Sequence, residues 1–170
     1  MRGKVWSAVA ATALGLAAGM PVTAGAASAQ DGLETAQPVE QSVEFVVRRT
    51  VLTVPDVPTV GTTFIAGGDL FDSTDTTRVG EAFSQCMVVE VGTEVQPRFT
   101  ASCSTVFRLS EGDLFLSSLR EYSPGRAGFA GADVAVIGGT GEYATAQGDG
   151  TATRLDETPV AYRYVLNLSL

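Results

Sequence analysis

Val134-Ala135-Val136-Ile137-Gly138-Gly139-Thr140-Gly141 can be read in two ways, and the choice decides the fold. An apolar run feeding a glycine cluster opens a nucleotide-binding βαβ unit when a helix follows whose N-terminus holds the pyrophosphate. Here the run continues as Glu142-Tyr143-Ala144-Thr145-Ala146-Gln147-Gly148-Asp149-Gly150, a glycine- and threonine-rich stretch suited to a strand, and the chain ends soon after it. No room is left for further βαβ units. The glycines are therefore read as a tight turn between two antiparallel strands. At least one of Gly138, Gly139 and Gly141 is expected at positive φ, where a Cβ is penalised.

Outward from this turn the chain is a series of short runs rich in Val, Thr, Phe and Tyr, punctuated by Gly, Pro, Asp and Ser, with hardly any helical periodicity. The expected strands are residues 43–53, 62–66, 82–91, 98–109, 114–119, 132–137, 142–154 and 160–168. Eight strands with mostly short links suit an all-β, up-and-down antiparallel barrel, which closes on itself and leaves no exposed edge. The exception is the stretch from Val54 to Gly80, which holds Pro55, Pro58, Gly67-Gly68-Asp69 and Asp72-Ser73-Thr74-Asp75. It is expected as a long connection at the barrel mouth, with Asp69 a turn former after two glycines rather than a rim acid.

One hairpin carries its own register. If residues 92–97 form the turn, facing residue numbers sum to 189, which sets Cys86 opposite Cys103 and Glu81 opposite Arg108. Two opposed cysteines in an exported chain are read as a structural disulfide, since their spacing matches no CxxC redox or zinc pattern.

Export is read from the N-terminus. Arg2 and Lys4 precede an apolar stretch that is broken by Gly15, Gly19, Pro21 and Gly25 and ends at Ala27-Ser28-Ala29, the pattern of a cleaved signal peptide over residues 1–29. Residues 30–41 then read as a flexible leader, and 42–170 as a single barrel domain. No later stretch has the length of apolar residues that a spanning helix needs, so a secreted, extracellular protein is expected. Cleavage leaves 9 basic against 19 acidic residues, a net charge of −10, which argues against a nucleic-acid partner. There is no histidine anywhere, and the only lysine is Lys4. A Ser-His-Asp or Cys-His nucleophile, a histidine metal site and a lysine Schiff base are thereby excluded.

The segment Ile137-Gly138-Gly139-Thr140-Gly141-x-Tyr143-x-x-Ala146-x-Gly148 resembles the signature of plant dirigent proteins and the related allene oxide cyclase barrels. Gly68-Asp69-Leu70-Phe71, Arg78-Val79-Gly80, Cys86 and Cys103, in that order, are similar to small exported actinobacterial proteins of the same superfamily. The resemblance spans roughly residues 43–168. It implies an eight-stranded barrel with a hydrophobic cavity, assembled as a dimer or trimer, and chemistry that needs neither metal nor cofactor. Allene oxide cyclases steer ring closure of a fatty-acid epoxide; dirigent proteins hold phenoxy radicals or quinone methides for stereoselective coupling. The first strand departs from both. It reads Ser42-Val43-Glu44-Phe45-Val46-Val47-Arg48-Arg49-Thr50, without the cyclases' Glu-x-Asn or the His-Asp pair of many dirigent proteins, so no catalytic residue is carried over.

Strand alternation supplies candidates for the interior. Val43, Phe45, Val47 and Arg49 share the more apolar face of the first strand, making Arg49 an inward candidate and Glu44 an outward one. Tyr162, Tyr164, Leu166 and Leu168 share the face of the last strand expected to wall the cavity. Arg49, Tyr143, Tyr162 and Tyr164 are the expected ligand-binding residues, with packing over the glycines the plainer role for Tyr143. The functional expectation is a secreted barrel that holds a hydrophobic small molecule and, if it is an enzyme, acts as a cofactor-independent cyclase or isomerase. A non-catalytic carrier and a cell-surface or structural module on the same barrel are the alternatives.

Overall fold

The computed structural model describes residues 40–93, 98–123, 128–155 and 158–170; the signal-peptide segment and residues 30–39 of the leader lie outside the described residues. Eight strands follow one another: β1 (Glu40–Leu52), β2 (Thr63–Phe71), β3 (Arg78–Val91), β4 (Phe99–Leu109), β5 (Gly112–Tyr122), β6 (Gly131–Gly139), β7 (Gln147–Leu155) and β8 (Ala161–Ser169). Each pairs antiparallel with the next, and β8 returns to β1 from Glu40↔Ser169 to Arg48↔Ala161, closing the barrel. No described helix is long and apolar enough to cross a membrane.

Period-two alternation sorts each strand. In β3, Ala82, Ser84, Cys86 and Val88 are buried while Phe83, Gln85, Met87 and Val89 face out. The expected inner row of β1 is inward as well: Phe45 meets Phe107 edge-on at 5.7 Å between ring centres, and Val47 and Arg49 line an internal cavity. Glu44 points outward to an ion pair with Arg163. The lower interior is filled by apolar side chains, with Phe107, Leu70, Leu114, Leu116 and Leu166 removed from solvent. Each such side chain contributes ~1.5–3 kcal/mol by burial.

The 189 register holds from Gly80↔Leu109 to Val88↔Ala101, then slips by one at a bulge before Glu90. Cys86 and Cys103 are bonded inside the barrel, their Cα atoms 4.1 Å apart. Glu81 does stand opposite Arg108, yet its ion pair is with Arg78 at 2.9 Å, while Arg108 lies over the Phe83 ring.

Among the boundaries that differ from the sequence reading, three have a clear local cause. Gly67-Gly68-Asp69 lies inside β2 and not in a loop, because these glycines admit the backbone of a neighbour: a Cβ on Gly68 would stand 2.0 Å from the Arg48 carbonyl oxygen, beside a register shift in β1. Asp69 accordingly is no turn former; it faces out and pairs with Arg78 at 2.7 Å. The long connection is thus two shorter ones at opposite ends, residues 53–62 and 72–77. Glu40 and Gln41 belong to β1 rather than to the leader, bonded opposite Ser169 and Leu168. Finally, Gly141–Tyr143 form one 3-10 turn, so β7 starts at Gln147 and not at Glu142. The turn itself behaves as expected: Gly138 and Gly141 have φ of 141° and 60°, and no α-helix follows.

Candidate functional site

The upper interior differs from the packed base. Its space lies at the barrel end formed by the start of β8 and the ends of β1 and β5, and is a cavity of about 30 Å³ lined by residues that include Val47, Arg49, Ser84, Thr105, Tyr122 and Tyr162. That is room for about one water molecule.

Its wall is built around Arg120. Alternation along β5 turns Leu114, Leu116, Ser118, Arg120 and Tyr122 inward, so a strand that starts apolar ends by placing a guanidinium inside the barrel. Arg120 is 3% exposed. Its Nε donates to Ser118 Oγ at 3.0 Å, Nη1 to Ser84 Oγ at 3.2 Å and Nη2 to Thr105 Oγ1 at 2.7 Å, and the two acceptors of the last pair of bonds are joined to each other at 2.8 Å. Every one of these partners is a neutral hydroxyl. Among the described residues no aspartate or glutamate lines the cavity.

A single ring fills the space beside Arg120. Phe129, on the connection between β5 and β6, stacks on Tyr162 with ring centres 4.2 Å apart and planes 11° from parallel. It meets Tyr122 edge-on at 5.9 Å and lies under the Arg120 guanidinium at 4.9 Å. The Phe129 backbone N–H donates to Tyr162 Oη at 3.1 Å, which anchors the segment independently of the ring. Gly128 precedes it at φ 152°, where a Cβ would strike the same hydroxyl.

Of two further arginines, Arg49 lines the cavity and Arg154 stands behind Tyr162, outside the lining. A Cβ on Gly128 would stand 3.2 Å from Arg49 Nη1. Arg154 follows Ala152 on the inward row of β7, sits opposite Tyr162 in the β7–β8 ladder, and has its Nη1 buried without a hydrogen-bond partner. Burial raises the Tyr162 hydroxyl pKa above its ordinary value, while the charges of Arg154 and Arg49 oppose the rise. Burial pushes Tyr122 up to about 12, against the nearby Arg120 charge. At neutral pH both phenols therefore keep their protons and can donate them in hydrogen bonds.

Of the residues named from sequence, Arg49, Tyr162 and Tyr164 converge on this cavity. Tyr143 does not: it sits in the 3-10 turn at the opposite end, against Gly139, in the packing role. Arg120, Tyr122, Phe129 and Arg154 were not anticipated. Continuing the β5 alternation past Leu119 would have found Arg120 and Tyr122; Phe129 lies in a connection, where period gives no signal. The described residues contain no cluster of three or more Asp, Glu, Cys or His that could hold a metal.

No family model and no curated protein matches the sequence. Solved structures do. A pyocyanin demethylase is 26% identical with a TM-score of 0.58, covering 76% of this chain and 100% of its own. Two pterocarpan synthase dirigent proteins are also similar: one is 19% identical with a TM-score of 0.54, over 86% of this chain and 98% of its own. The other is 16% identical with a TM-score of 0.50, over 78% and 95%. Closed eight-stranded antiparallel topology and these matches agree on the fold, and the chain is a barrel of the kind seen in the pyocyanin demethylase and the dirigent proteins.

Proposed function

We propose that the mature protein is a secreted barrel that binds a hydrophobic small molecule in the upper half of its interior and steers a cofactor-independent cyclisation, isomerisation or coupling of it. The observation that carries this reading is Arg120, a nearly inaccessible cation held by three hydroxyls over the face of a stacked aromatic ring. A buried charge without a carboxylate partner is costly to folding, and such groups are kept where a site uses them. Guanidinium and phenol donors around a water-poor space suit the stabilisation of negative charge developing on an oxygen, and the rigid walls suit control of which face of a bound molecule reacts. The likeness to a demethylase and to dirigent proteins supports small-molecule chemistry in such a barrel.

The small size of the cavity favours a second reading, a barrel whose working surface is outside. Ile65, Phe83 and Met87 expose apolar side chains on the outer wall of β2 and β3. Assembly into a dimer or trimer through this wall belongs to either reading.

Native mass spectrometry of residues 30–170, after incubation with an organic extract of the producing cells, decides among these. A retained compound released chemically altered supports steering of a reaction. One released unchanged selects the carrier. No retained compound, together with an unchanged interior, selects the outer surface.

A further inference from the structure

Three of the nine arginines of the mature, strongly acidic chain are turned to the interior, while the described carboxylates stay out of the cavity wall. Arg120 satisfies its donors with neutral hydroxyls, and Arg154 leaves a buried Nη1 without an acceptor. Beside Arg120, Phe129 occupies a slot with Tyr162 as its floor at 4.2 Å, Tyr122 at its edge and the guanidinium over its face. Phe129 satisfies the aromatic part of the slot and, having no polar atom, none of the charge.

We propose that the upper interior is a site for a flat organic anion, an aromatic carboxylate. Its ring takes the place of Phe129 between Tyr162 and Arg120, and its anionic oxygen accepts from Arg154 Nη1 and the Tyr162 hydroxyl. Two physical arguments give the class. Stacked and edge-on rings and a guanidinium over a ring face select a planar π system over a fatty chain. A buried cationic donor with no acceptor is relieved more by a carboxylate than by the neutral carbonyl of an amide, because a bond between two ionised groups is roughly twice as strong, so the pocket discriminates between them. The Phe129 ring is then an internal competitor, and its removal strengthens binding by opening the slot while the backbone bond to Tyr162 keeps the segment in place.

The inference rests on the interior-binding reading, and one titration separates their fates. The probes are 2-naphthoate and its neutral isostere 2-naphthamide, measured by calorimetry against wild type, Phe129→Ala and Arg154→Gln in the Phe129→Ala background. Phe129→Leu is the substitute should Phe129→Ala fail to show the wild-type near-ultraviolet circular dichroism. The expected result is naphthoate binding at least ~10-fold tighter to the Phe129 variant than to wild type, at least ~10-fold tighter than naphthamide, and a loss of that preference with Arg154→Gln. Equal binding of both probes to the Phe129 variant overturns the anion claim and leaves the interior site standing. Naphthoate preference that Arg154→Gln does not reduce places the anion elsewhere and overturns the assignment. Absence of binding by either probe to both Phe129 variants overturns the interior reading and the inference with it.

Discussion

Arg120 shows how a single residue can be at odds with the stability of the domain that carries it. Its guanidinium is buried among Ser84, Thr105 and Ser118 over the face of the Phe129 ring, and the hydroxyls of Ser84 and Thr105 already bond each other. Replacing a buried ion by an apolar side chain of similar size is often stabilising, by about 1–4 kcal/mol. Arg120→Met is therefore expected to raise the urea unfolding midpoint while abolishing ligand binding; a lowered midpoint would show that the guanidinium serves packing. Tyr122 gives a pH signature at the same place. Its pKa is raised from 10.0 to about 12 because burial penalises the phenolate, so the folded state holds the proton more tightly than the unfolded one. That contribution to stability is complete below pH 10 and is lost as pH rises toward 12. Absorbance at 295 nm should show a tyrosine ionising near pH 12 that is lost in Tyr122→Phe, and the same substitution should flatten the alkaline loss of stability. Arg49, Tyr162 and Tyr164 were legible because strand period places a side chain on one face. Phe129 was not, because its position depends on Gly128 and on a contact with Tyr162, 33 residues away.

Among the elements, the β3–β4 hairpin was the most legible, since one register aligned two cysteines and two opposite charges at once. The bridge there spans 17 residues, and closing a loop of that size stabilises by ~3 kcal/mol. Cys86→Ser with Cys103→Ser is expected to lose about that much in chemical denaturation, and oxidised protein should show no free thiol. β2 was misread because glycine signals a loop in isolation, whereas Gly68 serves the close approach of β1. The β6–β7 turn was legible in kind, with detail that only packing provides. Gly141 needs φ of 60°, while Gly139 is extended and instead leaves no room, a Cβ there standing 2.4 Å from the Asp113 carbonyl oxygen. Gly141→Val and Gly139→Val should each cost ~1–3 kcal/mol, by backbone strain in the first and crowding in the second. NAD, NADP and ATP should leave the melting temperature unchanged, because the turn leads into a 3-10 turn and an antiparallel strand with no helix N-terminus to hold phosphate.

At the scale of the whole molecule, the barrel is divided between a lower half that supplies stability and an upper half that carries charge. The base packs Phe45 edge-on against Phe107 and buries Leu114 and Leu166, and the top holds arginines, phenols and the ring that covers them. The outer wall at Ile65, Phe83 and Met87 is the proposed assembly surface. Phe83→Asp should shift the mass seen by light scattering from oligomer to monomer without altering the cavity, and a monomeric wild type would contradict that assembly. The central claim is that the Phe129 ring stands where a ligand ring belongs. A crystal structure of the Phe129→Ala protein with 2-naphthoate tests it most directly. The account predicts the naphthalene stacked on Tyr162 beneath Arg120, with the carboxylate within hydrogen-bond reach of Arg154; naphthoate on the outer wall, or a slot refilled by collapsed side chains, would contradict it.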